Sequence, residues 1–207
     1  MVKSVIKIRL FLIILVSASS FTLIGQSRLL IDLSLQRLNI TEQINFAGRN
    51  PNPNISFAFN VNIEKPISSK LKYSYGIGLM GVSYNTENPD RDYVIRYLNF
   101  PLGLKSHAKK LLFEINISPS LHLFNWVSFP GRNGFGFSEP SSGEMKSLVL
   151  PLSIYLGTKI GDNELLVGYV QNFEDILVNS SYSSRFNGLS LTFRFKIKEF
   201  KSRTKEK

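Results

Sequence analysis

The chain has no cysteine among its 207 residues, only two histidines and a single tryptophan. Without cysteine there is no disulfide framework, no thiolate metal site and no acylated cysteine of a lipoprotein. Two histidines with no thiolate beside them leave a transition metal without a ligand set. Long apolar runs are also scarce. One segment near the start is apolar enough to cross a bilayer as a helix, so a multi-helix membrane protein is excluded. Hydrophobic residues nevertheless make up 43% of the chain, too many for a disordered one. Of the formal charge of +10, Lys3, Lys7 and Arg9 supply three units, and much of the remaining excess sits in KIKEFKSRTKEK from Lys196 onward. With no recognisable nucleic-acid fold around it, that basic stretch does not make a nucleic-acid interface.

What the chain does have begins with its first 26 residues. Lys3, Lys7 and Arg9 precede an apolar run from Leu10 to Val16, and the small residues Ser17, Ala18, Ser19 and Ser20 follow. That order is the layout of a secretory signal peptide, with cleavage expected after Ser20 or near Gln26. The competing assignment is an uncleaved membrane anchor. Residues 27–197 then form one domain, and 198–207 a basic C-terminal tail.

Period-two patterning dominates that domain. In VIRYLNFPLGLKSHAKKLLFEINISPSLHL (residues 94–123), Leu98, Phe100, Leu102 and Leu104 alternate with Asn99, Pro101, Gly103 and Lys105. After a polar turn, Leu111, Phe113, Ile115 and Ile117 alternate with Glu114, Asn116 and Ser118. Such spacing places every apolar side chain on one face of a pleated ribbon. Each arm has the ~9–11 residues of a tilted membrane-crossing strand. The same rhythm recurs in strands at 29–36, 55–63, 71–84, 148–157, 165–171 and 188–197. The segment 165–171 is the least regular, because Leu166 and Val170 interrupt the alternation. The total is eight, an even number.

Connections sort by length. EKPISSK, SHAKK and GDNE are short, whereas the stretches around RNPNPN, NTENPDRD and residues 124–146 are longer. Short turns at one end and long loops at the other mark an outer-membrane barrel. The expected fold is therefore all-β: an eight-stranded antiparallel up-and-down transmembrane β-barrel with short periplasmic turns and long external loops. A soluble lipocalin-like ligand-binding barrel is the alternative, since antiparallel soluble sheets also alternate.

The strand YLNFPLGLK (Tyr97–Lys105), together with the signal peptide and eight amphipathic strands, resembles the PorT-like group of small outer-membrane β-barrel proteins of Bacteroidota-type bacteria. The terminal strand GLSLTFRF (Gly188–Phe195) is similar to the signal read by the outer-membrane insertion machinery, with Gly188, Leu191 and Phe193 at its spaced positions. The resemblance implies location in the cell outer membrane, contact with outer-membrane lipids and that machinery, and assistance to secretion or envelope assembly through partner proteins. No cofactor is implied.

Candidate site residues divide into two sets. Asp32, Lys72, Lys105, Glu114 and Arg194 share the inward face. Buried charges must pair, and the expected pairs are Lys105 with Glu114 and Asp32 with Arg194. The set reads either as a plug or as the lining of a narrow channel. Trp126, Phe129, Phe135 and Phe137 lie in the longest loop, either as a recognition tip or as packing over the barrel mouth. A lipid-modifying enzyme would need Ser120, His122 and Glu114 as a triad on the lipid side, but their parity points inward, and a non-enzymatic role is expected. His107 reads as a solvated turn residue.

Overall fold

Each of the eight alternating segments forms a strand in the structure, a computed structural model that describes residues 27–42, 52–87, 90–128, 135–138, 146–176 and 184–200. The strands are β1 (Ser27–Glu42), β2 (Ile55–Pro66), β3 (Leu71–Glu87), β4 (Asp90–Asn99 and Leu102–Ala108), β5 (Leu111–Ile117 and Ser120–Ser128), β6 (Leu148–Val149 and Pro151–Ile160), β7 (Asn163–Asn172) and β8 (Ser184–Phe200). Each pairs antiparallel with its neighbour in sequence, and β1 pairs with β8 from Ser27↔Phe200 to Glu42↔Ser184. The sheet is thus a closed eight-stranded barrel without a free edge along its wall. Two short strands, Asn52–Pro53 and Phe135–Ser138, extend the sheet beyond the barrel on β3 and β5. The expected signal segment and the tail beyond Phe200 lie outside the described residues.

Several strands run further than composition indicates. Glu64, Lys65 and Pro66 belong to β2, leaving a turn of 67–70, and Asn163 and Glu164 belong to β7. NTENPDRD is mostly ladder: Asn85–Glu87 pair with Asp92–Asp90 as a hairpin projecting past the barrel. Backbone hydrogen bonds need no apolar face, so polar composition did not stop these strands. β8 continues through Lys198 to Phe200, three residues into the stretch read as tail. The segment expected to be irregular, β7, alternates without a break: Glu164, Leu166, Gly168, Val170 and Asn172 are all buried.

Prolines interrupt three adjacent strands at one level. Pro101, Pro119 and Pro151 lack an N–H to give the ladder, but their carbonyls accept from Gly76, Phe100 and Ser118 at 3.0, 2.9 and 2.9 Å. The wall therefore stays hydrogen-bonded across the break. At the short-turn end, Lys109 and Gly161 take positive φ (55° and 63°), as the first central position of a tight hairpin turn requires.

The barrel is apolar outside and polar inside. Phe57, Leu156 and Leu189 are 62, 66 and 63% exposed, while Arg194, Glu114 and Thr192 are 3, 1 and 3% exposed. A soluble ligand-binding barrel has the opposite distribution, so the lipocalin-like alternative fails.

Candidate functional site

The interior is layered, and the layers can be followed up β1 from the short-turn end. Above a buried Leu30, inward residues run Asp32, Ser34, Gln36, Leu38 and Ile40, changing from charged through neutral polar to apolar. β8 repeats the order in reverse, with Arg194, Thr192, Ser190, Gly188 and Phe186.

Arg194 centres the charged layer. Its Nε and Nη2 donate to Asp32 Oδ1 and Oδ2 at 2.7 and 2.8 Å. Nη1 and Nη2 donate to Glu114 Oε2 and Oε1 at 2.5 and 2.9 Å, and Nη1 also reaches Glu164 Oε2 at 3.2 Å. Two bidentate carboxylates and a third acid use a planar, five-donor fork in a way that no lysine matches. Asn62 Nδ2 donates to Asp32 Oδ2 and Asn116 Nδ2 to Glu114 Oε1, both at 2.9 Å.

Lys105 does not pair with Glu114, although the two are opposite in register. Arg194 occupies both Glu114 oxygens, and Lys105 Nζ instead bonds Glu164 Oε1 and Oε2 at 2.9 Å each and contacts Glu64 Oε2. Glu64 also accepts from Lys72 Nζ at 2.8 Å. Lys72 and Lys105 face each other in register, and Glu64 bridges these like charges. Sequence parity brings Asp32, Lys72, Lys105, Glu114 and Arg194 into one layer. It missed Glu64 and Glu164, which share the inward parity of Asn60 and Asn62 on β2 and of Leu166 on β7. Among the described residues the layer holds four carboxylates against three cations.

Above it lies a small polar chamber of about 30 Å³, lined in part by Gln36, Asn62, Asn99, Asn116, Asp32 and Glu114. Asn62 lies across Gly76 and Asn116 across Gly103 on the neighbouring strands, and a Cβ at either glycine would collide with the amide oxygen.

An apolar layer closes the long-connection end. Leu38, Ile40, Met80, Val82, Ile95, Tyr97, Val149, Val170, Ile176 and Phe186 are buried together there. The outer face changes character at the same height: Arg37 and Asn39 are exposed above Leu33 and Leu35, and Asn187 and Arg185 lie above Leu189. Membrane-type alternation thus gives way to soluble-type alternation within single strands.

The residues of a catalytic triad are not assembled. Ser120 Oγ donates to the carbonyl of Ser118 at 2.6 Å, and His122 Nε2 bonds Asn125 Oδ1 at 2.8 Å while its ring meets Tyr97 edge-on. His107 belongs to β4 rather than to the turn. Of the loop aromatics, Phe129 lies outside the described residues. Trp126 and Phe137 are register partners in the ladder between β5 and Phe135–Ser138, but the side chains of Trp126, Phe135 and Phe137 are not described.

No protein-family model matches the chain, and no curated protein matches its sequence. Among solved structures it is similar to Neisserial surface protein A, with 14% identity and a TM-score of 0.54 over 84% of this chain and 99% of that one. It also aligns with Ail, the attachment invasion locus protein of Yersinia pestis, with 10% identity and a TM-score of 0.46 over 84% of this chain and all of that one. The first likeness is one of fold, a closed eight-stranded antiparallel barrel.

Proposed function

We propose that this chain is an exported, non-enzymatic outer-membrane barrel, closed to ions, whose long-connection end stands above the membrane as a platform for envelope or secretion partners. The observation that carries this reading is the change of polarity inside and outside β1 between Gln36 and Leu38. Below it the wall offers lipid an unbroken apolar surface, and above it the barrel is built like a soluble protein with its own apolar core. From Ile55 to Ile63 the outward apolar residues of β2 cover eight residue steps. At ~3.3 Å each and a strand tilt near ~40° they reach about 20 Å in height, close to the ~25 Å apolar band of bacterial barrels.

Closure to ions follows from two seals in series. The charged layer fills the lumen at one end and the apolar layer at the other, and an eight-stranded barrel is only just wide enough for its own side chains. The PorT-like resemblance of Tyr97–Lys105 supports a place in the cell envelope, and with it a role in secretion or envelope assembly. The proposal is tested by membrane fractionation with a heat-modifiability gel, followed by planar-bilayer recording of the purified barrel. Recovery in the outer-membrane fraction, faster migration when unheated and no steady conductance are expected. A soluble periplasmic protein, or stable single-channel steps, overturns it.

A further inference from the structure

The short-turn rim carries charge of one sign. Its described carboxylates outside the buried layer are Asp162 and Glu199, and both are taken, by Lys196 at 2.8 Å and by Arg28 at 3.7 Å. Lys65, Lys70, Lys109, Lys110, Lys159 and Lys198 have no carboxylate partner among the described residues. The acids of the layer behind them are held by Arg194, Lys105 and Lys72, so none is left to neutralise the rim. The apolar wall runs right up to these lysines. Leu111, next to Lys110, is 70% exposed, Ile160, next to Lys159, 54%, and Ile197, next to Lys198, 55%. Lys65 Nζ lies 5.8 Å from the centre of the Tyr75 ring and Lys198 Nζ 5.2 Å from that of Phe200. Tyr75 in turn stacks on Tyr73, with ring centroids 6.2 Å apart.

We infer that the short-turn rim is a binding collar for anionic phospholipid head groups, of the phosphatidylglycerol type. This rests on the membrane placement proposed above and adds to it the class of lipid that one rim selects. A lysine at the end of an apolar wall keeps its stem on the wall and extends its ammonium group beyond it. Aromatic rings at the same level belong to the boundary between water and hydrocarbon. Unneutralised positive charge at that depth attracts anionic lipid. A soluble acidic protein fits less well, because the lysines alternate with exposed apolar side chains that need lipid around them. The long-connection end is built differently. There Arg37 and Asn39 replace apolar residues on the outer face while the strands continue, and Arg185 is paired with Asp175 at 3.3 Å.

The test uses the folded barrel in detergent micelles containing equal amounts of phosphatidylglycerol and phosphatidylcholine, with the bound lipids counted by native mass spectrometry. Phosphatidylglycerol adducts should outnumber phosphatidylcholine adducts about tenfold. Two double variants, Lys70→Gln with Lys110→Gln and Lys65→Gln with Lys198→Gln, should each bring the ratio several-fold closer to one. A folding failure in one pair leaves the other informative. Arg37→Gln, on the outer face toward the opposite end, should leave the ratio unchanged. Equal adducts on the unaltered barrel overturn the collar, as does a preference that persists in both double variants. A loss reproduced by Arg37→Gln also overturns it, by moving the anionic lipid to the other rim. Polyglutamate that binds the barrel and is not displaced by phosphatidylglycerol would give the rim to an acidic protein instead. A barrel that fails to insert into vesicles overturns the membrane placement and the collar together, whereas an inserted barrel without lipid preference overturns the collar alone.

Discussion

Arg194 shows how much one side chain carries when the lumen is only as wide as its residues. It holds three carboxylates from β1, β5 and β7, so it ties opposite walls of the barrel together as well as balancing charge. Replacing it with methionine keeps volume but strands buried acids. Arg194→Met should therefore cost ~3–5 kcal/mol, the range for breaking a buried pair by removing one partner. Arg28→Met removes a pair of 3.7 Å whose side chains are partly exposed and should cost under ~1 kcal/mol. Urea unfolding in detergent compares the two, and equal losses would contradict the central place of Arg194. Much of this layer was legible, because period-two parity alone puts Asp32, Glu114 and Arg194 on the inward face. The partner of Lys105 was not. Glu64 sits in EKPISSK and Glu164 in GDNE, whose proline, serine and glycine content reads as turn. Which oxygen a lysine reaches also depends on what a third strand has already taken.

At the scale of the strand, β1 states the membrane boundary in its own sequence. Leu33 and Leu35 face outward over Ser34 and Gln36, then Arg37 and Asn39 face outward over Leu38 and Ile40. A single period of two cannot report such a change, because parity is preserved while polarity is exchanged. For this reason strand existence was readable and strand ends were not: a search for apolar-out alternation stops where the pattern inverts. The same inversion makes Val170, an inward residue of the apolar layer, look like a fault in β7. The boundary has a direct test by charge insertion. Leu33→Arg, level with Phe59 at the middle of the apolar band, should destabilise the bilayer-embedded barrel by ~2–4 kcal/mol, as charge on the lipid face near the midplane does, whereas Asn39→Arg should cost ~0–1 kcal/mol. Unfolding titrations in lipid vesicles give both values. Similar costs at the two positions would remove the boundary drawn between Leu35 and Arg37.

At the scale of the whole barrel, closure and direction follow from the even strand count. β1 begins and β8 ends at the same rim, the rim that also carries the turns at 67–70, 109–110 and 161–162. The sorting of connections by length was visible in the sequence because turn residues and loop composition are local. The projecting hairpin of β3 and β4 was not, since it is a ladder made of polar residues. Export of the chain would leave the short-turn rim in the periplasm and the long connections outside. The absence of cysteine makes this orientation simple to measure. Asn52, exposed beyond the long-connection rim, and Asp162, exposed in the turn between β6 and β7, can each be replaced with a lone cysteine. A membrane-impermeant maleimide added to intact cells should label the Asn52→Cys protein. The Asp162→Cys protein should react only after the outer membrane is permeabilised. The two sites lie on opposite rims of a single closed sheet, so labelling of both on intact cells contradicts the membrane-spanning placement. The reverse pattern keeps the barrel in the membrane but turns it over, placing the apolar layer and the proposed platform in the periplasm.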